Sequence, residues 1–67
     1  MKVRFDEVAD ALYLKLDETA KVIDSEEVEP GVILDFNKDK QVIGIEILNV
    51  KMRIPLATLK HMQFEIA

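Results

Sequence analysis

The clearest pattern in this chain is Gly31–Leu48, GVILDFNKDKQVIGIEIL, in which two alternating apolar runs flank a short polar stretch. A period of two marks a strand with one face against a core, so the segment predicts a β-hairpin. The core candidates Val32, Leu34 and Phe36 occupy even positions, whereas Ile43, Ile45 and Ile47 occupy odd ones. Opposed residues in an antiparallel pair have position numbers of constant sum. Taking the all-polar Asn37–Lys40 as the loop gives a sum of 77, which pairs Leu34 with Ile43 and Val32 with Ile45. A three- or five-residue loop without a bulge would turn one apolar set to the wrong face.

The other face of the hairpin is not cleanly polar. It carries Ile33, Val42, Gly44 and Leu48 around the charged Asp35 and Glu46, and Tyr13 is expected on the same side. A sheet with one wet face does not show so many apolar residues outward, so something is expected to cover this one. Those seven residues are the candidate interface.

Similar alternation places Val3 and Phe5 on one face of Lys2–Phe5, and Leu12, Leu14 and Leu16 on one face of Ala11–Leu16. Together they predict a first hairpin around the acidic loop Asp6–Asp10. Asp17–Ala20 is a break. Lys21–Glu29, with its run Asp24-Ser25-Glu26-Glu27, suits an exposed edge strand whose charges discourage further pairing. Pro30-Gly31 is strong turn punctuation. After Leu48 the period changes: Leu56, Leu59 and Met62 recur at helical spacing behind Pro55, which suits a first helical position. A helix over Pro55–Met62 is too short to stand alone and is expected to dock on the sheet. Gln63–Ile66 either extends it or forms a final strand. The fold class read from these patterns is α+β, mostly β, an antiparallel β-meander of about five strands with one short C-terminal helix.

Composition changes that picture in one respect. Sixty-seven residues make a single domain, 1–67, near the lower limit for a self-sufficient core. Such a chain buries only about 60% of the surface its unfolded form exposes. With no cysteine to staple it and 49% hydrophobic residues, self-association is the expected source of further stability, with a homodimer as first choice. No apolar run reaches the ~18 residues a membrane crossing needs. The N-terminus turns acidic where a signal peptide needs its apolar segment, so a cytoplasmic location is expected. Residues 1–48 carry a net charge of −6 and residues 49–67 a net +2. An acidic sheet repels phosphates, which disfavours nucleic acid as a partner; the basic tail suits an acidic partner or a neighbouring subunit's sheet.

Phe5-Asp6, Ala9-Asp10-Ala11-Leu12-Tyr13 and Gly44-Ile45-Glu46-Ile47-Leu48-Asn49 resemble a family of small prokaryotic proteins, the domain of unknown function 2283. The two longer motifs lie about 30 residues apart, and the resemblance covers nearly the whole chain. It implies a compact single domain of bacterial or archaeal type and brings no activity, cofactor or catalytic residue. Two departures are visible. The family pattern often has Gly where this chain has Lys40, and a small residue followed by Ser where it has Val50-Lys51. A positive φ at Lys40 would cost roughly 1 kcal/mol that Gly avoids.

Few residues suggest chemistry. Asp6, Glu7 and Asp10 put three carboxylates in one loop, but without EF-hand spacing or its turn glycine, and Asp side chains also bond backbone amides in turns. No metal site and no cofactor are therefore expected. Asp35 and Glu46 share a face at offset positions, and paired carboxylates do acid–base work when buried together; a salt bridge to Arg4, Lys15 or a neighbour explains them as well. Tyr13 fits an interface, with ring buried and hydroxyl wet. His61 is the only histidine, Ser25 sits among acidic residues, and Gly31 and Gly44 form no phosphate loop. The expected function is a non-enzymatic, homo-oligomeric interaction module. By analogy of size, acidity and family type, it would be a regulatory partner of another small protein, as in a toxin–antitoxin pair. The alternative is a small enzyme or ligand-binding domain with a site of Tyr13, Asp35 and Glu46 at a dimer interface.

Overall fold

The computed structural model describes all 67 residues, Met1–Ala67. Five strands form one antiparallel sheet: β1 (Lys2–Asp6), β2 (Ala11–Lys15), β3 (Asp24–Glu29), β4 (Val32–Phe36) and β5 (Val42–Leu48). Two single-turn helices follow, α1 (Val50–Arg53) and α2 (Leu56–Leu59). This is the mostly-β meander expected, as a hairpin β1–β2 and a meander β3–β4–β5 joined side by side in the order β1-β2-β5-β4-β3. Leu16–Ile23 passes the ends of β5 and β4, where the Leu16 amide donates to the Ile43 carbonyl and the Ile23 amide to the Phe36 carbonyl, to reach the far edge. No helix is long and apolar enough to cross a membrane.

The predicted hairpin of β4 and β5 forms, but with a different register. Leu34 faces Ile45 and Val32 faces Ile47, pairs that sum to 79 rather than 77. The loop runs over Asn37–Gln41, five residues, and a bulge makes up the parity: Asp35 faces Gly44 and Phe36 faces Val42, leaving Ile43 as the extra residue. Ile43 is buried, and its carbonyl accepts the Leu16 and Asp17 amides at 2.9 and 3.4 Å, which ties the bulge to the crossover. Asn37 organises the loop. Its side-chain oxygen accepts the amides of Asp39 and Gln41, and its carbonyl accepts the amide of Lys40 at 3.1 Å. Lys40 closes the turn at φ 60, in the left-handed region.

Two apolar rows cross the sheet on one face. Val3, Leu14, Ile45 and Leu34 form one; Phe5, Leu12, Ile47 and Val32 form the other. Each row ends on β3 in a glutamate, Glu26 or Glu29, so the fifth strand is an acidic border. A second bulge, between Glu27 and Glu29, distorts that edge further.

The expected helix is shorter than Pro55–Met62, and Pro55 stands just before its first turn as N-cap. Ile54, Leu59 and Met62 gather with Leu12 around one recess, so the C-terminal segment covers only the Leu12 end of the apolar face. Neither helix packs broadly across a strand. Gln63–Ala67 forms neither helix nor strand.

The end of the sheet beside α1 is more tightly knit. Val50 is wholly buried, and its amide donates to the Asp10 carbonyl at 3.2 Å. Asp10, itself at φ 54, accepts the Lys51 amide on its carboxylate at 3.0 Å. From the other side, Arg53 donates to the Pro30 carbonyl at 2.6 Å and lies 3.9 Å from the Glu29 carboxylate. Gly31, at φ 82, allows that approach: a Cβ there would lie 3.0 Å from the Arg53 guanidinium.

Candidate interaction site on the sheet faces

The polar face is built from the alternate residues of the same strands. Arg4, Tyr13, Glu46, Ile33 and Glu27 form a row in register across all five strands. Lys2, Lys15, Gly44, Asp35 and Ser25 form the next. Leu48 lies opposite Ala11 in a third. Of the seven candidate interface residues, Tyr13, Ile33, Asp35, Gly44, Glu46 and Leu48 thus share one face. Val42 is the exception, because the bulge sets it opposite Phe36, a residue of the apolar face.

Asp35 and Glu46 are offset neighbours, as expected, though across different partners: Asp35 faces Gly44, and Ile33 faces Glu46. Gly44 leaves a notch that Asp35 fills, since a Cβ on Gly44 would come within 3.1 Å of the Asp35 carboxylate. Asp35 is only 8% exposed and accepts a 2.7 Å hydrogen bond from the Ser25 hydroxyl. Glu46 adjoins it, and its carboxyl is pushed above the ordinary 4.5 by burial first, then by the hydrogen bond and the charge of Asp35. Partial burial and the neighbouring Asp35 thus both favour the neutral form of Glu46. Neither carboxyl group forms an ion pair with Arg4 or Lys15. Arg4 lies over the Tyr13 ring at 5.8 Å and pairs with Asp6 at 3.6 Å. Ser25, read only as a poor nucleophile, proves to be the partner of Asp35; nothing in its local sequence marks that cross-strand bond.

The acidic loop serves its own backbone. Asp6 accepts the Ala9 amide at 3.0 Å, and Asp10 holds α1. The remaining recesses border polar loop residues, such as the one between Ile23, Phe36 and Lys38. Neither this recess nor its neighbour around Ala20, Lys21 and Asp39 is lined by Asp35 or Glu46.

The apolar face is only half covered: six of the eight residues in its two rows are half-buried. Of the eight residues in its two rows only Leu12 is buried, and Val3 is 40% exposed. Leu16, which continues the alternation past β2, is 43% exposed. The expectation was a helix covering this face and a second subunit covering the other. The helices, four residues each, are too short for that cover, and helical spacing alone does not measure how far so short a segment reaches.

The two longer motifs that carry the family resemblance are neighbours in space: Ala11 faces Leu48, Leu12 faces Ile47 and Tyr13 faces Glu46. Their residues build the centre of the sheet and the α1 junction. A family model described as a protein of unknown function (DUF2283) matches residues 2–51. No curated protein and no solved structure matches the chain.

Proposed function

The chain belongs to the DUF2283 family of proteins of unknown function, and we propose that it works as a self-assembling interaction module, a homodimer joined through the apolar face of the sheet. The observation that carries this reading is the pair of apolar rows across four strands with one buried residue among eight. Fully burying side chains of this kind is worth roughly 1.5–3 kcal/mol each. Stacking two such faces about 10 Å apart would bury both sets at once. The chain is too small to supply that cover from its own helices.

The polar face stays outward in this arrangement, with Tyr13 and Glu46 half-exposed to a second protein and Asp35 buried beside them. That is where a regulatory, antitoxin-like role would act. The charge of this face is divided, with Lys2, Arg4 and Lys15 at the β1–β2 side and Glu27, Asp35 and Glu46 towards β3, which suits a partner of complementary, two-signed surface.

Light scattering at high micromolar concentration tests the dimer, and a mass of one chain overturns it. Leu16→Glu, at a position already exposed in one chain, is expected to shift the protein to monomer with its fold intact by circular dichroism. Tyr13→Ala is expected to leave the dimer unchanged. The reverse result would move the interface to the polar face. Binding of a small ligand, lost in Asp35→Asn/Glu46→Gln while the dimer persists, would instead favour the ligand-site alternative.

A further inference from the structure

We infer that Met62–Ile66 adds as a sixth strand to the β1 edge of a second copy, so that the two protomers exchange their tails. This rests on the self-association proposed above and specifies how it is completed.

The segment has a strand's pattern with nothing to pair it. Met62, Phe64 and Ile66 alternate with Gln63 and Glu65, and the three apolar residues are 58%, 77% and 83% exposed. No backbone group from Met62 onward bonds to the rest of the chain. The family match covers residues 2–51, so this exposed apolar stretch lies outside it.

The two sheet edges are not equivalent receivers. β3 presents Asp24, Glu26, Glu27 and Glu29 with a bulge, which blunts it against pairing. β1 reads Lys2-Val3-Arg4-Phe5-Asp6, is regular throughout, and pairs on one side only. An antiparallel register can be written that satisfies both of its faces. Placing Ile66 opposite Val3 and Phe64 opposite Phe5 extends both apolar rows by one strand. The same register sets Glu65 opposite Arg4 on the polar face, and Gln63 opposite Asp6. Opposed unlike charges and aromatic pairs are the cross-strand contacts that stabilise sheets.

The direction of exit chooses the partner over the chain's own edge. Leu59 and Met62 lie around Leu12, on the apolar face. The tail therefore begins on the face that the proposed second copy would cover. Exchange of an identical element between protomers is an economical route to a dimer.

The chain has no cysteine, so disulfide mapping is clean. Arg4→Cys and Glu65→Cys single variants, refolded together and mildly oxidised, are expected to give a covalent dimer of unlike chains by mass spectrometry. Phe64→Asp/Ile66→Asp is expected to raise the dimer dissociation constant roughly 10- to 100-fold. A dimer by light scattering that neither cross-links nor weakens overturns tail exchange and leaves the face-to-face dimer standing. A monomer overturns both. An Arg4→Cys/Glu65→Cys double variant that closes its disulfide within one chain overturns exchange in favour of the chain's own edge.

Discussion

Lys40 and Glu46 each hold an unfavourable state that a single substitution relieves. Lys40 sits at φ 60, where a side chain is strained and glycine is not. Lys40→Gly is expected to stabilise the fold by about 1 kcal/mol, read as a rise of roughly 4–8 °C in a thermal melt; an unchanged or lower midpoint would refute it. Glu46 is pushed above its ordinary 4.5 by burial and by Asp35. Above the raised value the folded carboxylate is charged at a disadvantage that the unfolded chain does not share. As pH falls through that value towards 4.5 the disadvantage fades, because the folded carboxyl takes up its proton first, and below 4.5 both states hold one. Glu46→Gln is therefore expected to raise the midpoint by a few degrees at pH 7, through an amide that donates to Asp35. Melts across pH 3–8 should show the gap closing in acid. The left-handed turn at Lys40 was legible in the sequence as a departure from the family's glycine. The Asp35–Ser25 bond was not, because it joins residues whose facing depends on a register no local pattern fixes.

The elements show why some expectations held and others shifted by a step. Alternation told which residues share a face, and the rows of the sheet follow it. It does not tell the register, since sliding a strand by two residues leaves every side chain on the same face. The five-residue loop and the bulge at Ile43 together make that slide, from a sum of 77 to one of 79. α1 escaped notice for a different reason: four residues after Asn49 carry no period, and the turn exists through its bonds to Asp10 and Pro30. Its anchor is Val50, the one large side chain with no exposure. Val50→Ala is expected to lower stability by about 2 kcal/mol, measured by urea unfolding. An effect near zero would mean that the junction contributes little to holding the sheet.

At the scale of the molecule, the sequence revealed a chain rich in apolar residues and poor in staples, but not how its small core is disposed. Only six of 67 residues are buried. A dimer that covers the apolar face links folding to association, so the melting midpoint is expected to rise with protein concentration. A midpoint constant over a hundredfold dilution would contradict that linkage. The unequal sheet edges carry a consequence for how association stops. A strand-receiving border on one side and a negatively charged, kinked border on the other give the molecule a polarity. In the exchange inferred above, each copy's single tail is spent on the β1 edge of the other, so no tail would remain to recruit a third copy. Growth by tail exchange would then stop at two, and the acidic, bulged β3 margin discourages pairing at the opposite edge.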